Sequence, residues 1–126
     1  MKAIRSSMSV VMLCIALNTS AETEKCLKDA TTTGDMELCV AMEVREENDR
    51  LKQMLTRMEK RLADQQQKDL LGVAEAAWER YREANCSFAA DLYREGTIQG
   101  LVAQQCRARM VKERIKELEL LLTDLH

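Results

Sequence analysis

Downstream of residue 30 the apolar positions fall into helical stripes. Met36, Val40, Val44, Leu51, Leu55, Met58 and Leu62 recur at helical spacing, with one polar interruption at Asn48. Steps of three and four place side chains on one face of a helix, so this run predicts an amphipathic helix. Thr32-Thr-Gly-Asp35 stands at its start in the pattern of a capping box, in which a threonine side chain accepts from an otherwise free backbone N–H. The polar stretch 63–69 ends the stripe and reads either as a turn or as a weak helical bridge. A second stripe runs through Leu71, Ala74, Trp78, Tyr81, Asn85, Phe88 and Leu92. A third follows Gly96 through Leu101, Cys106, Met110, Arg114 or Ile115, Leu118, Leu122 and Leu125.

Glycines at 34, 72, 96 and 100 mark the expected breaks, and the connections between stripes are short. Short connections force neighbouring helices to run antiparallel. The predicted fold is therefore all-α: a small antiparallel bundle of one short helix plus three longer ones. The run from Ile115 to Leu125 is apolar enough to serve either as core or as a homodimer seam through the C-terminal helix. Core is the favoured reading, because a domain this small has little apolar surface to spare.

The first 21 residues follow a different pattern. Lys2 and Arg5 precede the apolar run Met8 to Leu17, and Asn-Thr-Ser-Ala21 follows it. These are the parts of a signal peptide, with Thr19 and Ala21 as the small residues before a cleavage point after Ala21. The apolar run is about half the length of a bilayer-spanning helix, so no stable membrane insertion is expected after cleavage. Cys14 follows the bulky Leu13, which disfavours a lipidation site. The domain is then 22–126, in a periplasmic or secreted location.

Composition sharpens this picture. The chain has no proline, and its 19 basic and 21 acidic residues become 17 and 21 once Lys2 and Arg5 leave with the leader, a formal charge of −4. An acidic chain has no electrostatic reason to bind nucleic acid. Its one histidine, His126, is the last residue, and there is no Cys-x-x-Cys pair, so neither a metal nor any other cofactor is expected.

Cys26, Cys39, Cys86 and Cys106 remain after the leader, an even number in a small exported chain, which suggests a disulfide framework. Cys86 lies ten residues before Gly96 and Cys106 ten after it. If Gly96 is the tip of a helical hairpin, equal rises bring the two cysteines to one height, within disulfide reach. Cys26 and Cys39 straddle the threonine-rich turn almost symmetrically. The expected pairs are Cys26 with Cys39 and Cys86 with Cys106.

Several segments together carry a family likeness: Cys26 with Thr32-Thr-Gly-Asp-Met-Glu-Leu-Cys39, then Trp78-Glu-Arg-Tyr-Arg-Glu-Ala-Asn-Cys86, Glu95-Gly-Thr-Ile98, and Cys106 with Arg114 and Leu118. In these the chain resembles the bacterial exported proteins that share the lysozyme inhibitor LprI-like N-terminal domain, across roughly residues 24 to 120. Where that family often has Asp-x-x-Leu-Asn-x-x-Tyr, this chain has Asn48, Lys52 and Leu55 in place of the acid, the asparagine and the aromatic. Val111 stands where a threonine is usual. The resemblance implies a helical, disulfide-linked, exported domain, with lysozyme inhibition as the family's named activity.

No nucleophile motif accompanies a base, and the cysteines are expected to be oxidised, so the chain is not read as an enzyme. Trp78 and Tyr81 are expected in the core, with Arg82 beside the seam, paired with a glutamate or solvated. Glu46 and Glu47 are expected to be solvated. Partner contact is placed on the loop carrying Arg94, Glu95, Gly96, Thr97 and Gln99, whose ends a disulfide would hold, and as an inhibitor the domain would enter a lysozyme cleft with this loop or with the opposite end of the bundle. The plainer reading of that loop is a connection with glycine at the helix C-cap and Thr97 as the next N-cap. Two functions remain open: a module that occludes the cleft of a lysozyme-type muramidase, or a non-inhibitory structural or adaptor protein of the cell envelope that binds a partner or itself.

Overall fold

The structure, a computed structural model, describes the backbone of residues 15–125 and the side chains of residues 21–125. Four helices follow one another: α1 (Ile15–Asp29), α2 (Thr33–Arg61), α3 (Gln65–Asp91) and α4 (Gln99–Asp124). Residues 1–14 of the expected leader lie outside the described residues. Helix α1 runs through the expected cleavage point after Ala21.

Local chemistry explains where the helices start. The Asp35 N–H donates to Thr32 Oγ1 at 3.1 Å and the Thr32 N–H donates to Asp35 Oδ2 at 3.0 Å, closing the expected capping box. Thr31 adds its own N–H and hydroxyl to the same carboxylate. The Thr32 side chain, then Thr31, holds the Asp35 carboxyl below its ordinary range. The polar stretch 63–69 resolves into a three-residue break and a helix start: Asp64 caps α3 by accepting the Gln67 N–H at 2.8 Å. Gly72 lies inside α3 and breaks nothing, with open space around it.

Helix α4 is the centre of the fold. It packs against α2 and α3, while α1 packs on α2. Helices α2 and α4 run in the same direction: Glu37 lies against Gly100, Lys112 pairs with Glu43, and Arg61 donates to the Leu125 carbonyl at 2.8 Å. Helix α3 runs antiparallel to α4. The Glu37 carboxylate occupies the space beside Gly100, and a side chain there would displace it.

The main core joins α2 to α4 through Leu51, Met54, Met58, Val111 and Leu118, with Trp78 and Leu71 of α3 packed against it. A second cluster gathers Val40, Val44 and Ala108 under Leu27 of α1. A third surrounds the Cys86–Cys106 bridge with Met110. Leu118 is fully buried, and Ile115, Leu122 and Leu125 pack on its cluster, so the C-terminal stripe is core. Leu120 and Leu121 of the same run stay 69% and 48% exposed.

Two expectations about buried positions need correction. Of the expected α3 seam, Ala74, Tyr81, Phe88 and Leu92 are exposed, the last three by 61%, 66% and 68%, while Leu71, Trp78 and Asn85 are half-buried. Its buried line instead includes Leu71, Trp78, Cys86 and Ala90, flanked by the half-buried Arg82 and Asn85. Glu47, expected in solvent, is buried and accepts from Arg50 Nη1 at 3.2 Å.

Candidate partner-binding site

Both disulfides form as the turn symmetry requires, Cys26–Cys39 with Cα atoms 5.7 Å apart and Cys86–Cys106 at 5.5 Å. The second bridge lies in the core. The Asn85 side-chain amide sits over it, 3.7 Å from Cys106 Sγ and 3.4 Å from Met110 Sδ. Below this brace α3 and α4 are cross-linked, and above it the chain turns through residues 92–98.

All five residues expected at the site, Arg94, Glu95, Gly96, Thr97 and Gln99, fall on this turn or at its exit, and all are exposed. Arg94 pairs with Asp91 one turn back, and the Gly96 N–H donates to the Tyr93 carbonyl at 2.9 Å. The plainer reading of this loop fails in detail. The α3 C-cap is Leu92 and the α4 N-cap is Ile98, which makes no side-chain capping bond, so Thr97 does not cap. The left-handed backbone falls on Glu95, φ 73°, not on Gly96. A non-glycine residue held there costs on the order of 1 kcal/mol, and such strain concentrates where surfaces make contacts. Tyr93 and Ile98 are also exposed on the same knuckle.

One side of the α3–α4 hairpin carries polar groups that the apolar stripes hide. Arg82 donates to Asn48 Oδ1 on α2 at 3.0 Å and to Glu83, its guanidinium 5.0 Å from the centre of the Trp78 ring. Arg107 of α4 closes on Glu83 at 3.0 Å. Burial alone would raise the Glu83 carboxyl, but Arg107 and then Arg82 outweigh it and hold the group below its ordinary range. Arg82 thus bonds to Asn48, the position where the resembled family often has an acid. Equal rises about Gly96 set Glu83 level with Arg109, so spacing alone does not select Arg107 as its partner. Lower down, Arg114 joins Glu75 and Glu117; burial would lower its guanidinium, and the two carboxylates, Glu75 first, keep it charged.

An open groove of about 380 Å³ lies between α1, α2 and α4, floored by Leu27, Val40 and Ala108 and rimmed by Arg109, Lys112 and Lys116 with Glu43 and Glu113. Two of its cations are already paired, Lys112 with Glu43 and Arg109 with Glu113. Among the described residues no group of His, Cys, Asp and Glu is placed to hold a metal ion, and no helix is long and apolar enough to cross a membrane.

The class defined by this arrangement is a small all-α domain of two helical hairpins, each closed by a disulfide and one carrying an exposed, strained tip. Residues 24–118 match the family described as Lysozyme inhibitor LprI, and the chain belongs to that family. No curated protein matches the chain, and no solved structure does.

Proposed function

We propose that the chain is an exported binding module that inhibits a lysozyme-type muramidase by occluding its cleft, with the 92–99 knuckle as the inserted element. The family match over 24–118 carries this reading. The geometry supports it. A cleft blocker must present a convex, rigid element, because ordering a loose loop on binding costs free energy that preorganisation avoids. Residues 92–99 of the knuckle are all exposed, and the buried Cys86–Cys106 bridge holds the hairpin beneath them. Glycosidases of this type work with a pair of carboxylates flanking the scissile bond. Arg94, exposed at the tip and paired with Asp91 in the free protein, would exchange that partner for such a pair on binding, with Tyr93 and Ile98 supplying apolar contact beside it.

Export follows from the charge and length of the 1–21 segment, and disulfide formation requires an oxidising compartment. Cleavage after Ala21 leaves residues 22–29 of α1, tied to α2 by Cys26–Cys39.

The test is a cell-wall lysis assay in which the oxidised protein is titrated against muramidases of different types. Saturable inhibition of at least one type is expected, and Arg94→Glu is expected to abolish it while leaving helical content and melting temperature unchanged. Absence of inhibition of every type at micromolar excess would defeat the reading in favour of the non-inhibitory envelope module.

A further inference from the structure

Helix α3 has two apolar faces, and α4 occupies only one. The second face contains Leu70, Val73, Ala77, Tyr81, Ala84, Phe88 and Leu92, at successive steps of three or four residues, all of them exposed. The five large side chains are between 60% and 68% exposed. The stripe is about 33 Å long at the rise of an α-helix. Isolated exposed leucines need no explanation, but a continuous stripe of this length does.

We propose that this face is the interface of a homodimer in which α3 pairs antiparallel with α3 of a second copy. The order of side-chain sizes selects a second copy as the occupant. Read in either direction, the stripe runs large, large, small, tyrosine, small, large, large. An isologous contact demands such self-complementarity, because a twofold axis places the same patch on itself. With the axis at Tyr81, Leu70 comes level with Leu92 of the second copy, and Val73 with Phe88 and Ala77 with Ala84 fall within one residue of level, about 1.5 Å along the axis. The alanines flanking the axis let the two helices approach there, and the large residues close the ends.

The area agrees with this assignment. Five large side chains at these exposures offer roughly 600 Å² per copy, so about 1,200 Å² between two, just above the ~1,000 Å² of a specific interface. A reversible dimer is expected. The face shares Leu92 with the base of the tip knuckle, while Val73, Tyr81 and Phe88 lie on α3 outside the knuckle, so substitutions at 73 and 88 test the dimer without altering the inhibitory tip.

The test is sedimentation equilibrium of the oxidised protein, produced from the full chain in an exporting bacterial host. A dimer with a dissociation constant of about 1–100 μM is expected. Val73→Lys and Phe88→Glu, each on an exposed position, should leave the melting temperature unchanged and weaken the dimer more than about tenfold by placing a charge against an apolar partner. An equimolar mixture of the two variants should recover the dimer, because the proposed register sets the introduced lysine opposite the introduced glutamate. Monomer throughout the concentration range would overturn the proposal, as would a dimer indifferent to Phe88→Glu. Failure of the mixed variants to associate would overturn the register and the twofold axis with it.

Discussion

The two disulfides close similar hairpins in unlike surroundings, and the difference separates what holds the fold from what decorates it. Cys86–Cys106 is buried at both ends, wrapped by Met110, Ala89 and Trp78, and continuous with the core that joins α2 to α4. In Cys26–Cys39 the α2 cysteine is buried but Cys26 is only partly covered. Beyond that bridge α1 contributes one apolar side chain, Leu27, to a cluster. The α3–α4 hairpin is therefore held by packing and cross-link together. Helix α1 relies mainly on its cross-link.

Substitutions that unbalance this contrast rank by size. Cys86→Ser and Cys106→Ser should each lower global stability by about 3 kcal/mol on the chain-entropy estimate, with the double variant little worse than either, measured by urea unfolding. Glu75→Ala should cost about 2–3 kcal/mol, since it strips a buried partner from Arg114 and leaves only the exposed Glu117, whereas a fully lost buried pair costs more. Thr32→Ala removes the N-cap of α2 and should cost about 1 kcal/mol in the same assay. Cys26→Ser should alter global unfolding by about 1 kcal/mol or less, while amide exchange in residues 22–29 rises to that of an unprotected segment.

The smallest effect is set by pH. The folded Asp35 and Glu83 carboxyls are both depressed, so the stability they contribute is present above their unfolded pKa values and is lost as pH falls through the folded ones. Thermal midpoints should be flat through neutrality and decline below about pH 4. Glu83→Gln should shrink that decline by removing the partner of Arg107 and Arg82.

The sequence was most legible where one element has one apolar face. Helix α2 has a single stripe and a threonine cap, and both were readable, as were the cysteine pairs from their distances to the turns. Helix α3 misled because it carries two apolar faces and because its buried face includes Arg82 and Asn85. Spacing alone ran Trp78 on to Tyr81 and Phe88. The structure instead buries the polar residues, giving Arg82 the Asn48 carbonyl and the Trp78 ring, and setting Asn85 against sulfur. Glu47 was misread for the same reason, since a charge looks solvated until its neighbour Arg50 is placed. At the tip, the position of the turn that carries Arg94 to Gln99 is readable from the hairpin symmetry. The left-handed position was not, because Gly96 stands beside Glu95 and glycine is the residue that usually takes that conformation.

The asymmetry of the two bridges is tested most directly by graded reduction of the folded protein, with alkylation and mass spectrometry of the linked peptides. The expected order is opening of Cys26–Cys39 first, with near-native helical content retained, and of Cys86–Cys106 only when the whole domain unfolds. Simultaneous opening, the reverse order, or a peptide linking Cys26 to Cys86 would contradict it.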